Sequence, residues 1–173
     1  MGEIKLPFYR KTIICEATNL SQIKDEEYDF LITSHTIEHL ANPLKALYEW
    51  KRVLKKKGIM LIVFPNKDLT FDHKRPITNV DHIVNDFKNK VDETDLSHLM
   101  EIIKFHDISL DPSAGTFKDF VLRSLQNYKY RCLHHHVFTE SSLAKILREF
   151  LGMKIVLIRE LPLNSIVLIA RKD

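Results

Sequence analysis

Residues 28–65 read YDFLITSHTIEHLANPLKALYEWKRVLKKKGIMLIVFP, and this stretch decides the fold. It opens on YDFLIT, a short run around Phe30, Leu31 and Ile32 that turns polar at Ser34 and His35. Asn42-Pro43 then signals a helix start, with Asn as the cap and Pro in the first turn. Leu44, Leu47, Trp50 and Leu54 recur near helical spacing. Lys55, Lys56 and Lys57 are expected at the negative end of the helix dipole, with Gly58 as the left-handed stop. Residues 59–64, IMLIVF, are too few for a free helix and lie between Gly58 and Pro65, which predicts a buried strand. Strand, helix and strand make a βαβ unit, so a parallel pair with a right-handed crossover is expected.

Upstream of this unit, residues 11–17 (KTIICEA) are rich in β-formers and predict a further strand, followed by a polar loop. Downstream, residues 66–75 read as a charged loop. Helices are expected over residues 76–91, capped by Thr78, over 92–105 and over 116–128. Residues 130–138 (YRCLHHHVF) predict extended chain, with His134 and His136 on one side and His135 on the other. Thr139 is expected to cap a helix that Gly152 ends. MKIVLIRE and SIVLIARK, joined by LPLN, predict an antiparallel hairpin. The fold class is α/β in a single domain, residues 1–173. Residues 66–130 form a helical insertion within it, longer than a crossover needs, and such insertions cover or form binding sites.

Composition narrows the function classes. With 45% hydrophobic and 28% charged residues the chain is of the soluble globular kind. A net charge of +3, spread along the chain, is far from the footprint of a dedicated nucleic-acid binder, so no nucleic-acid partner is expected. No run reaches the length of a membrane span, and MGEIKLPFYRK has no apolar signal-peptide core. A cytoplasmic protein is expected, with Cys15 and Cys132 as reduced thiols at or near the core.

In open α/β sheets ligands bind beyond the carboxyl ends of the strands. That directs attention to Glu16-Ala17-Thr18-Asn19, to Ser34-His35-Thr36 and to Pro65-Asn66-Lys67-Asp68. His35, Glu38 and His39 spell H-x-x-E-H, the inverted form of a zinc-helix signature. A zinc site needs a third ligand, and the spacing pins none down, so no metal ligand is assigned. His73, His82, His98, His106, His134, His135 and His136 match no metal template, and a solvated or hydrogen-bonded cluster is expected. His82 and Asp86 share a helix face at i, i+4. No G-x-S-x-G elbow, Walker loop, C-x-x-C or G-x-G cluster is present among the four glycines.

Residues 28–68 closely resemble the second half of a class I S-adenosylmethionine-dependent methyltransferase of the type-11 kind. Its members read FDxVxxSHVLEHLxNPxxALxEWxRVLKPGGxLxLxVP at this place. FDHKRPITNVDHIVNDF resembles the family's lid segment, and LHHHVFT with the closing hairpin looks like its C-terminal end. The likeness spans roughly residues 15–172, and KKKG stands where the family carries Pro-Gly. It implies that Glu16 and Ala17 meet the adenine edge of the cofactor, and that Ser34 and His35 border its methionine side and the transferred methyl. It also implies His35 near the reacting centre, with Asp72, Arg75 and His82 lining the lid over a small polar acceptor. The transfer is an in-line displacement that needs positioning and no covalent enzyme intermediate.

The same resemblance implies a strand order of 3-2-1-4-5-7-6, in which residues 28–33 form the fourth strand. The family's first strand, its G-x-G-x-G loop and its second strand belong before Cys15, where this chain does not carry them. An incomplete Rossmann-like sheet is therefore expected, exposed at residues 28–33 and inviting a protein partner or a second copy of the chain. Three functions follow as expectations. The first is S-adenosylmethionine-dependent methyl transfer with the cofactor-binding half supplied separately. The second is a catalytically silent remnant acting as an interaction module. The third is a metal-dependent enzyme using the histidines.

Overall fold

The structure, a computed structural model, describes residues 12–173. Its centre is a mixed sheet in the order β1-β2-β4-β3, formed by β1 (Tyr28–Ser34), β2 (Leu54–Pro65), β3 (Lys154–Leu161) and β4 (Ser165–Arg171). β1 and β2 are parallel, while β4 runs antiparallel to both β2 and β3. The α/β class, the parallel pair and the closing hairpin are as expected. Counting β1 as the fourth family strand, the order matches the 4-5-7-6 portion of the expected sheet.

Helix α1 (Pro43–Val53) makes the crossover. The Asn42 side chain accepts from the Lys45 N–H at 3.1 Å, and Pro43 occupies the first turn, where its missing N–H costs nothing. Leu44, Leu47, Trp50 and Val53 bury its inner face. The helix stops earlier than expected, because Leu54 pairs with Tyr28 and begins β2. Lys55, Lys56 and Lys57 are exposed strand residues, and Lys57, with φ 63°, takes the left-handed conformation expected of Gly58. Between the Tyr28–Leu54 and Phe30–Ile59 pairs the register shifts, so residues 55–58 bulge out of the ladder. Gly58 is required there for another reason. A Cβ would lie 2.8 Å from the Lys55 carbonyl oxygen and 3.1 Å from that of Asp29.

α6 (Glu140–Glu149) starts in a Thr139 capping box and reaches Gly152 at φ 59°. Together α1 and α6 cover one face of the sheet, burying Met60, Ile62 and Phe64 of β2 with Ile166, Leu168 and Ala170 of β4. The other face is left largely uncovered by the described residues. Phe30 and Ile32 are 65% and 63% exposed, although both belong to a seven-residue strand that, among the described residues, pairs on one side only. The strand expected over residues 11–17 does not form within the described part. Residues 12–16 carry no regular structure and Ile14 is exposed, so this segment does not take up the free edge of β1. Cys15 is exposed rather than near-core, and Cys132 is half-buried.

The insertion contains α2 (Val80–Lys88), α3 (Leu99–Phe105), α4 (Phe117–Leu125) and α5 (Asn127–Tyr130). α2 is capped by Asn79 and not by Thr78, whose hydroxyl accepts instead from the Val137 N–H at 2.9 Å. Residues 92–98 are turns, so α3 is half the expected length. Leu99, Ile102, Ala114, Phe120 and Leu133 form a second small core. Residues 131–139 are irregular, not a strand, and the three histidines leave them toward three different partners. No described helix is long and apolar enough to cross a membrane.

Candidate functional site

The site is built at the carboxyl ends of β1 and β2. His35 leaves β1 at φ 48°, a left-handed conformation held by its N–H to the Val63 carbonyl at 2.9 Å. Its Nε2 meets the Ser165 hydroxyl at 3.0 Å, which ties β1 to β4 across the end of β2. Ser34 contributes its carbonyl, which accepts from the Thr36 hydroxyl at 3.1 Å.

A single turn of 3-10 helix (Ile37–His39) then carries Glu38 and His39 inward. Glu38 is 2% exposed, and neither carboxylate oxygen has a hydrogen-bond partner among the described residues. Burial pushes its carboxyl above the ordinary value. His39 donates Nδ1–H to the Leu133 carbonyl at 3.0 Å, since a carbonyl can only accept. Burial, then the neighbouring His134, lower the His39 pKa to about 4, so its ring is neutral at pH 7.

His134 faces this pair edge-on, with ring centroids 4.6 Å from His39. Its Nδ1 lies 2.5 Å from Oδ2 of Asp72, which is 3% exposed. Burial alone would raise the Asp72 carboxyl, but the hydrogen bond from His134 and the charge of Arg75 outweigh it and hold the group below its usual range. Arg75, 2% exposed, frames the pair: it bonds Asp72 Oδ1 at 3.0 Å, Glu101 at 3.0 Å and the carbonyls of His134 and His135 at 2.8 and 3.3 Å. A cavity of 10 Å³ lies among Glu38, Lys67, Asp72, His134 and His136, which is room for about one water-sized group. The Asp72–His134 pair borders this cavity.

The sequence-predicted residues divide. Asp72 and Arg75 are brought together, as a buried frame rather than an open lid surface. Ser34 and His35 stand at the strand end as expected, and Nδ1 of His35 is 3.4 Å from Glu38. His82 lies apart from them. Its Nε2 meets Nε2 of His98 at 2.8 Å and Oδ2 of Asp86 at 3.3 Å. Glu16 pairs with Arg131 at 2.9 Å on the wall of a hollow of 340 Å³ that also includes Thr18, Asn42, Lys45 and Tyr128. The Ala17 carbonyl accepts from the Trp50 indole at 3.0 Å, which anchors this loop to α1. Sequence reasoning missed His134 as the partner of Asp72. The only signal was its place in a histidine run, since residue 72 and residue 134 share no element.

Fold and site together define an α/β protein with a methyltransferase-like architecture. Residues 4–62 match the family described as "Methyltransferase domain". The chain superposes on a SAM-dependent methyltransferase from Aquifex aeolicus with a TM-score of 0.50 and 15% identity, covering 94% of this chain and 55% of that one. It is also similar to two uncharacterized proteins of Methanocaldococcus jannaschii, MJ0638 at 38% identity over 65 residues and MJ1123 at 40% over 58. Those alignments cover 38% and 34% of this chain and only 25% and 28% of the relatives, so the chain spans about a quarter of the curated proteins it matches.

Proposed function

We propose that this chain is the acceptor-side portion of an S-adenosylmethionine-dependent methyltransferase. Its cofactor-binding half, with the glycine-rich loop, joins along the free side of β1. The family match over residues 4–62 carries this reading, because that segment ends inside β2 and includes the strand end where His35 sits. The bare sheet face at Phe30 and Ile32 supports the second part of it.

The residues present fit one flank of the cofactor. Glu16 and Ala17 line the side on which the adenine edge is expected, and Ser34 and His35 the methionine side. No glycine-rich turn is present to take the rest. When bound, S-adenosylmethionine would supply an electrophilic methyl group. The chain's own residues orient the acceptor and remove its proton. His134 Nε2, with its Nδ1–H fixed on ionised Asp72, takes the proton of a hydroxyl or amine, the kind of group a water-sized cavity admits. His35, braced by Ser165, borders the approach. Arg75 holds this frame from beneath through four hydrogen bonds to protein acceptors. The acceptor is a small polar metabolite presenting such a group.

The test is transfer of labelled methyl from S-adenosylmethionine to a panel of hydroxyl and amine acceptors by the chain together with its glycine-rich half. His134→Asn is expected to lower kcat about 100-fold or more, the usual contribution of a general base, with KM for the cofactor unchanged. Unchanged kcat would remove His134 from the chemistry.

A further inference from the structure

A second group of side chains adjoins the methyl-transfer site and shares with its cavity only His136. We infer that Nε2 of His82, Nε2 of His98, Nε2 of His136 and Oδ2 of Asp86 form a binding site for one divalent transition-metal ion of the zinc or ferrous type. The four ligand atoms come from three places in the chain and lie within 4.8 Å of one another.

Local structure explains the convergence. α2 presents His82 and Asp86 one turn apart on one face. His98 closes the turn that enters α3. His136 is brought alongside α2 by two bonds between Thr78 and Val137, at 2.9 and 3.0 Å. Asn42, the cap of α1, donates to the Asp86 carbonyl at 3.1 Å and holds this end of α2 in place.

The proton inventory is what points to a cation. Nδ1 of His136 faces the Leu40 carbonyl at 3.0 Å, and a carbonyl only accepts, so Nδ1 carries the hydrogen. Nε2 of the neutral ring is then a lone pair, and it lies 3.1 Å from Oδ2 of Asp86 with both residues buried. Two acceptors in contact away from water are unfavourable unless a positive charge sits between them. Asp86 Oδ2 is also 3.3 Å from Nε2 of His82, which in turn is 2.8 Å from Nε2 of His98. An Nε2–H tautomer of His82 satisfies its contacts with His98 and Asp86, so the His136–Asp86 contact is the one that calls for a positive charge, and an ion held by all four side chains supplies it. The Leu40 carbonyl behind His136 supplies the outer hydrogen bond that fixes the tautomer of a metal-bound imidazole.

The donor set selects the ion. Three imidazoles and one carboxylate suit zinc, iron, cobalt or nickel, not calcium or magnesium. Tetrahedral bonds of about 2.0–2.1 Å separate ligand atoms by about 3.3 Å, close to the 3.1 and 3.3 Å that separate Asp86 from His136 and His82. His82 is 40% exposed, beside a hollow of 290 Å³ lined by Pro76, Asn79, Ser97 and Glu101, so the ion has a path in. Bound there, it would join α2, the entry to α3 and residues 134–138, and stiffen the insertion against the sheet.

The experiment is titration of the untagged, chelator-treated chain with Co²⁺ and Zn²⁺, read by the cobalt ligand-field spectrum, by metal content after gel filtration and by Tm. One equivalent is expected, with the intense spectrum of a four-coordinate nitrogen–oxygen site and a raised Tm. His98→Gln and His82→Gln, at half-buried positions that tolerate exchange, are expected to weaken cobalt binding about 100-fold or more. No retained equivalent in the unsubstituted chain, or unaltered binding in both variants, would overturn the site. So would loss of the ion in His39→Asn with retention in His98→Gln, which would place it instead at Glu38, His39 and His134, whose ligand atoms also lie within 4.8 Å of one another.

Discussion

Nδ1 of His134 lies 2.5 Å from Oδ2 of Asp72, sixty-two residues earlier in the chain. That contact ties the start of the insertion to the segment that returns from it, beside the cavity that Glu38 also lines. Its geometry depends on Arg75, which holds both partners.

Arg75→Met is therefore expected to be severely destabilising. The substitution strands the carboxylates of Asp72 and Glu101 and two backbone carbonyls, and breaking one member of a buried ionic network costs about 3–5 kcal/mol. Urea denaturation checks it. A change below about 1 kcal/mol, the scale of an exposed pair, would show that the frame is not holding the insertion.

His39 makes the protein acid-labile in a defined window. Its pKa is lowered from 6.5 to about 4 by burial, then by His134. Between those values the unfolded chain binds the proton and the folded chain does not, so stability is full above pH 6.5 and falls as the pH drops toward 4. The slope from one proton is at most about 1.4 kcal/mol per pH unit. His39→Asn keeps a donor for the Leu133 carbonyl and does not titrate. Its urea midpoint is expected to fall less steeply across this window than that of the unsubstituted chain. Equal slopes would contradict the assignment.

Gly58→Ala tests the bulge that sets the β1–β2 register. The added Cβ meets two backbone oxygens, which cannot swing aside as a side chain can. A loss of about 1–3 kcal/mol is expected, as for overpacking elsewhere. An unchanged midpoint would mean that residues 55–58 relax freely.

Phe30→Lys with Ile32→Lys tests the bare face. Neither side chain contributes to the buried core, so the fold is expected to survive. Sedimentation should show the parent chain associating with concentration and the double variant remaining monomeric, as charged edges do. A monomeric parent at high concentration would show that this face does not drive association.

The sheet was legible where local signals agreed with tertiary context. YDFLIT, Asn42-Pro43 and IMLIVF sit as expected, and the hairpin follows from its turn residues. The end of α1 was not legible. Lys55, Lys56 and Lys57 are acceptable in a helix or on an exposed strand, and the choice fell to pairing with β1. Residues 12–16 have strand-like composition and no partner, which propensity cannot reveal. At the site, His35 could be placed because a strand end is a local feature. The Asp72–His134 contact and the group of His82, Asp86, His98 and His136 could not, because an irregular segment of three histidines sends each ring in a different direction. Only the i, i+4 pair of His82 and Asp86 left a trace in the spacing.

The most direct test of the central claim is calorimetric titration with S-adenosylhomocysteine. It is run on residues 1–173 alone and on the same residues combined with the polypeptide that carries the glycine-rich loop. The account predicts no binding tighter than about 1 mM for the first and low-micromolar binding for the second. Low-micromolar binding by residues 1–173 alone, or none by either preparation, would contradict it.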